Sequence, residues 1–390
     1  MPRPLPPVLI AVLLMYLVQQ QLASVLGPLA TGFGLPASQL SLLFSVAAVA
    51  TAVASPLWGL LLDAAGPRPV LIAGLVLCVA GPAGFAATVT LGLDETLGTD
   101  LAFVLILLFR GVVFGVGIAA VLVAALALAG LTTAGVGDRT RAIGFVGAAQ
   151  GLGVLVGPIV AGALAAASMT LPIYLAPVVA VVAAVVVLVL VKPVVPVAQE
   201  PVRVAPVELL PAFGAGLFLS LSFAIAEVVV VFLAADRERI GSGEIEGVLL
   251  GAGLGLVLAQ GLLVPLLRWT PDRLLKVGAP VAVAGYALLA VAPSAGVITV
   301  ALLVVALGVG LGITGFAATA SLGVGWRRQG LVAGLVTLTS GVTFLVGPML
   351  TGLLFEVAPD APALVAGASA LVATGLAFVP TGPRVPHSAV

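Results

Sequence analysis

Charged residues are scarce in this chain of 390 residues. Only 8% are Asp, Glu, Lys or Arg, against about 25% in a typical soluble domain. Hydrophobic residues make up 62%, and the mean hydropathy is +1.34. This composition argues against a soluble globular fold, so we expect lipid to surround most of the polypeptide. Aromatic residues are also few, whereas 48 glycines supply the small residues that let helices pack closely in a membrane.

The residues that build metal and catalytic sites are almost absent. One cysteine, Cys78, and one histidine, His387, allow neither an internal disulfide nor a structural zinc site. The chain has no Asn, hence no N-glycosylation acceptor, and no Gly-Lys-Ser/Thr phosphate loop. We therefore predict no cofactor, no metal and no enzyme activity, since no Ser/His, paired-Asp or zinc constellation is available. The net charge of zero gives no indication of a nucleic-acid partner.

Long apolar stretches predict an all-α membrane protein with twelve transmembrane helices. A spanning helix needs about 20 mainly apolar residues. A Pro-rich linker at 192–207 divides the chain into two six-helix halves, at 1–191 and 208–390. The approximate spans are 8–29, 39–62, 70–90, 101–130, 141–166, 173–191, 208–234, 246–267, 274–292, 297–322, 330–355 and 362–380.

The basic residues predict how the helices are oriented. If the N-terminus is cytoplasmic, twelve of the fifteen Lys and Arg residues fall on the cytoplasmic side, as in most membrane proteins. We therefore predict a multi-pass protein of the cell inner membrane with both termini in the cytoplasm.

An internal repeat supports the division into halves. The stretch Gly-Leu-Gly-Val-Leu-Val-Gly-Pro at 151–158 matches Gly-Val-Thr-Phe-Leu-Val-Gly-Pro at 341–348, and both stretches continue to a further glycine. Two related halves around a central site are typical of transporters, because one half can rock against the other. The sequence thus predicts a protein that moves a small molecule across a bilayer.

The connection between the second and third predicted helices carries the most specific motif. It reads Gly-Leu-Leu-Leu-Asp-Ala-Ala-Gly-Pro-Arg at 59–68 and resembles the signature of the major facilitator superfamily, although Ala64 replaces a basic residue. The resemblance implies a cytoplasmic gate in which the Asp contacts the start of the eleventh helix, near Gln329. The alternative is an ordinary solvated loop charge. The gate residues would be Gly59, Asp63, Gly66 and Arg68.

The fifth predicted helix carries a second motif of this superfamily. Its small residues and proline resemble a pattern associated with antiporters, including proton-driven drug exporters. Small residues four apart permit another helix to approach closely, and a proline allows a bend. Generic packing in a Gly-rich protein is the alternative. The residues concerned are Gly153, Gly157, Pro158 and Gly162.

Two ionisable residues lie well inside the predicted spans, where charges are costly and usually functional. Arg110 lies in the fourth predicted helix and Glu227 in the seventh, and the resemblance implies that both helices line a central cavity. Arg110 resembles a helix 4 arginine linked to proton coupling. An apolar site favours a neutral carboxyl and a nearby guanidinium favours a carboxylate, so alternating proximity would make a proton switch. A static ion pair between the two residues is the alternative.

Polar side chains in the apolar helices are candidates for substrate binding. Consecutive helical residues point about 100 degrees apart, so three adjacent glutamines do not all face one cavity. Bonding between helices is the alternative role. The candidates are Tyr16, Gln19, Gln20 and Gln21, with Gln150 and Gln260 as weaker ones.

These observations lead to a functional hypothesis and its rivals. The leading hypothesis is a monomeric exporter that exchanges protons for a small, partly hydrophobic molecule. A proton symporter or facilitator for uptake of a sugar or organic acid is the second. A transporter-like sensor that moves nothing is the third.

Overall fold

The computed structural model describes residues 4–32, 36–94, 96–193, 205–236, 242–292, 294–358 and 360–379. Within these ranges the chain is helical and contains no strand. Most of the predicted linker at 192–207 lies outside the described residues, as do Arg3 and His387.

Twelve successive helices account for the predicted spans. Eleven of them, α1 to α11, are long and apolar enough to cross a membrane, and the apolar α12 has 17 residues. That length is at the short end of the range of about 17–25 residues for spanning helices. The helices are α1 (Leu5–Gly32), α2 (Ala37–Ala65), α3 (Pro67–Leu93), α4 (Thr99–Leu131), α5 (Val136–Ala167), α6 (Leu171–Leu190), α7 (Pro206–Asp236), α8 (Ser242–Val257, continued by Leu258–Leu263 and Val264–Leu267), α9 (Pro271–Ala290), α10 (Ala295–Leu322), α11 (Gln329–Val357) and α12 (Ala361–Ala377).

Two of these helices contain a π-helical segment that the sequence did not predict. Leu107–Val113 interrupts α4 and carries Arg110, and Leu258–Leu263 interrupts α8 and carries Gln260. Each segment widens one turn and therefore rotates the side chains before it relative to those after it. Such segments are frequent at functional sites.

Small residues set the spacing of neighbouring helices. A Cβ added at Gly117 of α4 would lie 2.8 Å from the carbonyl oxygen of Gly74 in α3. The same construction at Gly308 of α10 gives 2.6 Å to the carbonyl oxygen of Gly278 in α9. The third and fourth helices of each six-helix set, which we call the N half (α1–α6) and the C half (α7–α12), thus pack through glycine, as membrane helices without a hydrophobic driving force require.

Candidate functional site

Asp63, at the end of α2, binds the start of α11. Its Oδ1 accepts a hydrogen bond from the Gly330 N–H at 2.7 Å, and its Oδ2 accepts one from the Leu331 N–H at 2.9 Å. Backbone amides in the first turn of a helix have no intrahelical partner, and the positive end of the helix dipole attracts a carboxylate. Arg328 adds a nearby positive charge. The carboxylate therefore lies where the family resemblance implies it, and its role as a gate stays a prediction.

The two helices at this contact touch backbone to backbone. A Cβ at Gly59 of α2 would overlap the carbonyl oxygen of Gly330, and a Cβ at Gly334 would lie 2.5 Å from the carbonyl oxygen of Ser55. At Gly341, further along α11, the nearest atom is the Ala52 Cβ at 3.0 Å. The N half and the C half are therefore closed against each other from this end of α11 towards the middle of the helix. We call this end of the molecule the Asp63 side.

The other two predicted gate residues take different places. Gly66 joins α2 to α3 with a φ of +90°, a conformation that glycine adopts without steric cost. Arg68 is half-buried in the first turn of α3, and its Nε has no hydrogen-bond partner. In the part of the chain that the structure describes, no hydrogen bond or ion pair joins Arg68 to Asp63.

A second contact between the halves involves α5 and α8. The side-chain amide of Gln260, in the π-helical segment of α8, packs directly over Gly147 of α5, where a Cβ would overlap it. The Gln260 Nε2 also lies 3.5 Å from the carbonyl oxygen of Gly310 in α10. Gln260 is 7% exposed, so its amide is held between three helices.

A cavity of about 60 Å³ lies between the halves beside Gln260. Both weaker sequence candidates, Gln150 and Gln260, face it, whereas the hydroxyl of Thr314 bonds to a carbonyl of its own helix. Most of the wall is apolar. The lining residues are Leu122, Leu126, Ile143, Val146, Gly147, Gln150, Gln260, Ile313, Thr314, Ala317, Val336, Thr337 and Ser340.

The candidates on α1 pack within the N half instead. The Gln21 Nε2 donates to the carbonyl oxygen of Pro172, at the start of α6, at 2.8 Å. Tyr16 is buried and lies near Cys78 of α3. Gln20 packs through its Cβ against α5, and the Oε1 of Gln19 is buried without a hydrogen-bond partner. None of these four side chains lines the cavity beside Gln260.

The glycines of the fifth-helix motif also contact α1. A Cβ at Gly153 would lie 2.6 Å from the carbonyl oxygen of Leu13, and one at Gly157 would lie 2.6 Å from the Gln20 Cβ. Pro158 is exposed, and a Cβ at Gly162 would meet nothing within 4 Å. The first two glycines therefore serve close packing of α1 and α5 inside one half.

Arg110 and Glu227 lie apart from each other. The Arg110 guanidinium is 4% exposed and lies 5.3 Å from the centre of the Phe44 ring in α2, and its Nε has no hydrogen-bond partner. Glu227, on α7, lies close to Tyr286 of α9. Among the described residues no hydrogen bond or ion pair joins Arg110 to Glu227, and neither residue lines the cavity beside Gln260. The static ion pair considered from the sequence is absent from this structure.

The comparison with known protein families decides what kind of protein this is. The family model of the Major Facilitator Superfamily matches residues 8–348. The chain belongs to the Major Facilitator Superfamily. It is therefore a multi-pass membrane transporter and not an enzyme.

Solved structures agree with this transporter fold. The human organic anion transporter MFSD10 (TETRAN) has a TM-score of 0.76 and 17% identity, with 96% of this chain and 99% of that chain covered. The E. coli fucose:proton symporter FucP has a TM-score of 0.74 and 14% identity, over 95% and 97% of the chains. A bacterial homologue of the iron transporter ferroportin has a TM-score of 0.75 and 17% identity, over 95% and 98%. These identities show the fold alone. No curated protein sequence matches the chain significantly.

Sequence reasoning missed two residues of this transporter on the Asp63 side, Arg139 and Ser321, and it missed the buried position of Gln329. Arg139, in the first turn of α5, was counted only among the cytoplasmic basic residues, yet it is 2% exposed. Gln329, which is 1% exposed, accepts a hydrogen bond from the Ser321 hydroxyl at 2.7 Å. An arginine at a helix end reads as a solvated charge from sequence, so only the packing of the two halves reveals this cluster.

Gly153→Leu tests whether the fifth-helix motif serves packing in this transporter. The added side chain would push α1 from α5, and overpacking a core costs about 1–3 kcal/mol. We expect the apparent Tm in detergent to fall by about 1–4 °C, because unfolding a chain of this length carries an entropy of roughly 0.8 kcal/mol/K. Gly162→Leu is the matched control, because its side chain enters open space. Equal melting temperatures for the two variants would contradict the packing role.

Proposed function

We propose that this transporter exchanges protons for a small, partly hydrophobic molecule by alternating access. The observation that carries the proposal is the apolar cavity with two side-chain amides, which lies between halves that are closed on the Asp63 side. Opening of the Asp63 side and closure of the opposite side would expose the cavity to each side of the membrane in turn.

The chemistry of the cavity wall supports the substrate class. Leu122, Ile143 and Val336 offer apolar contact, and the amides of Gln150 and Gln260 offer donors and acceptors. Among the residues that the structure describes, none that is charged lines this cavity. A volume of about 60 Å³ is far below the range of about 300–1,000 Å³ typical of ligand pockets. The substrate would therefore enter when the halves separate.

Glu227 is proposed to carry the proton. It lies deep in α7, where a carboxylate is costly unless it is neutralised or paired. Its described neighbour is Tyr286, which is itself close to Ser222. Arg110 is proposed to favour the charged form of Glu227 only in another state of the cycle, since the two side chains do not bond in this one.

Export is proposed on the resemblance of the fifth helix to antiporters and on the charge pattern. The excess of basic residues supports a cytoplasmic location for the Asp63 side and for both termini. The protein is proposed to be a monomer of the cell inner membrane. The residues proposed to gate this side are Gly59, Asp63, Gly66 and Arg68.

Uptake of a sugar or organic acid with protons is the second candidate. It is favoured by the Ser340 hydroxyl, which joins the two glutamines around the cavity. A hydroxyl-rich substrate would find several partners there. The two candidates differ in the direction of proton-driven flux.

Glu227→Gln in proteoliposomes tests the coupling. A thermal-shift screen of neutral amphipathic compounds and sugars on the purified protein first supplies a substrate. We expect an imposed pH gradient to drive its transport in the wild type and the Glu227→Gln variant to lose this drive about tenfold, since glutamine cannot exchange a proton. Counterflow without a gradient should persist in the variant.

Glu208→Gln is the matched control on the same helix, because Glu208 lies in the first turn of α7. It should transport like the wild type. Undiminished proton-driven transport by Glu227→Gln would rule out Glu227 as the coupling residue. Accumulation of the substrate in the compartment that the protons enter would favour the uptake candidate.

A further inference from the structure

Arg139 is buried between the C-terminal ends of two helices from different halves. Its Nη2 donates to the carbonyl oxygen of Thr133, just past α4, at 2.9 Å. Its Nη1 donates to the carbonyl oxygen of Ser321, in the last turn of α10, at 3.2 Å. Neither of the two ion pairs among the described residues includes Arg139. Arg139 is 2% exposed, so its guanidinium is buried without a carboxylate partner.

Helix dipoles explain how this charge is tolerated. The C-terminus of an α-helix carries about half a negative elementary charge on its unpaired carbonyls. The two helix ends together supply about one negative charge, which matches the guanidinium. One of these ends belongs to the N half and the other to the C half. The Arg139 guanidinium therefore keeps both of its carbonyl partners only while α10 is docked against α4.

Gln329 makes the end of α10 a rigid partner for Arg139. Its Nε2 donates to the carbonyl oxygens of Ser321, at 2.8 Å, and Val324, at 3.1 Å, while its Oε1 accepts from the Ser321 hydroxyl. The amide lies directly over Gly130 of α4, where a Cβ would overlap it. The connection between α10 and α11 is thus tied together by hydrogen bonds and pressed against the N half.

We propose that Arg139 is a gating residue that holds the Asp63 side closed. In this arrangement the N half binds both ends of the connection at 323–328. At each end it supplies a charge opposite in sign to the end of the adjoining helix. Asp63 binds the positive start of α11, and Arg139 binds the negative end of α10. The proposal rests on alternating access, but it does not depend on proton coupling or on the substrate.

Arg139→Gln tests the proposal through the population of the closed Asp63 side. Spin labels at Ala134→Cys in the N half and Arg273→Cys in the C half, in a Cys78→Ala background, report the distance between the halves by electron–electron double resonance. Both label positions are exposed on the Asp63 side. We expect the ratio of open to closed populations to rise about tenfold, without substrate or a pH gradient. Because the measurement uses neither substrate nor a pH gradient, its outcome does not depend on whether the proposed proton coupling is correct.

Arg141→Gln is the matched control. Arg141 lies two residues further along α5 and pairs at 3.4 Å with Asp138, whose side chain is 72% exposed. It should leave the distance distribution unchanged. Arg139→Lys is the second variant, for the case in which Arg139→Gln does not fold. Its single ammonium group keeps the charge but cannot bind both carbonyl oxygens in the same geometry. We expect the ratio of open to closed populations to rise at least threefold. A distribution like that of the wild type in whichever Arg139 variant folds, or an equal shift in Arg141→Gln, would overturn the proposal.

Discussion

Replacing Gly330 by alanine should shift the population strongly towards an open Asp63 side. The new Cβ would overlap the carbonyl oxygen of Gly59 and lie 2.7 Å from Asp63 Oδ1 and 3.0 Å from Asp63 Cγ. The nearest obstacle is backbone, so no side-chain rotation relieves the clash, and α2 must move away from α11. That movement lengthens both hydrogen bonds to the carboxylate. Losing two charge-assisted bonds costs about 3 kcal/mol or more, so the ratio of open to closed molecules should rise roughly 100-fold.

The same spin-label distance measures this shift, and Gly325→Ala is the matched control. Gly325 lies five residues before Gly330, and a Cβ there would meet nothing within 4 Å. Gly59→Ala should act like Gly330→Ala, because it fills the same space from the other helix. The double variant should then cost less than the sum of the two single variants. A closed Asp63 side in Gly330→Ala would show that this backbone contact does not control the gate.

The sequence predicted the helices from local information, and it predicted the Asp63 contact from a family motif. Apolar runs of membrane length determine the helices, and the motif at 59–68 is compact and specific. The twelve helices of the structure follow the predicted spans, although α12 is shorter than predicted. The Asp63 contact joins residues 267 positions apart, and only the resemblance to a family pointed to it.

The helix that carries a residue could be predicted, but the direction of its side chain could not. Arg110 and Glu227 both lie well inside predicted spans, yet Arg110 lies over Phe44 and Glu227 lies beside Tyr286. The π-helical segment at Leu107–Val113 also changes the direction of the Arg110 side chain, because it rotates Arg110 relative to the rest of α4. No pattern in the apolar sequence predicted this segment.

The glutamines illustrate the same limit. The Gln21 amide donates a hydrogen bond to the start of α6, whereas Gln150 and Gln260 face the space between the halves. All three stand in apolar helices and carry the same chemistry. Their different environments follow from which neighbour is close, and that depends on glycines such as Gly147 on other helices.

Asp63→Asn should weaken the closed state without changing the packing of α2. Asparagine is nearly the same size as aspartate, but it presents one oxygen and one NH2 group to two backbone N–H donors. One donor, from Gly330 or Leu331, would then face another donor, and the charge attraction to the start of α11 would be lost. Hydrogen bonds to charged groups contribute about 1.5–3 kcal/mol each. The open-to-closed ratio should therefore rise roughly 30-fold, which is less than for Gly330→Ala because nothing forces the helices apart.

Asp272→Asn is the matched control, because it removes the same negative charge from a different position. The comparison shows whether the effect depends on where the charge lies. Asp272, in the first turn of α9, pairs with Lys276 at 2.9 Å, and its side chain is 55% exposed. Exposed pairs of this kind contribute about 0–1 kcal/mol, so the spin-label distances should match the wild type. Asp63→Glu distinguishes the contribution of the charge from that of the geometry. The longer side chain keeps the charge but must bend to accept hydrogen bonds from the same two amides. A shift in Asp63→Glu smaller than that in Asp63→Asn would show that the charge contributes more than the geometry. Wild-type distances in Asp63→Asn would instead show that backbone packing at Gly59 and Gly330 closes the gate by itself.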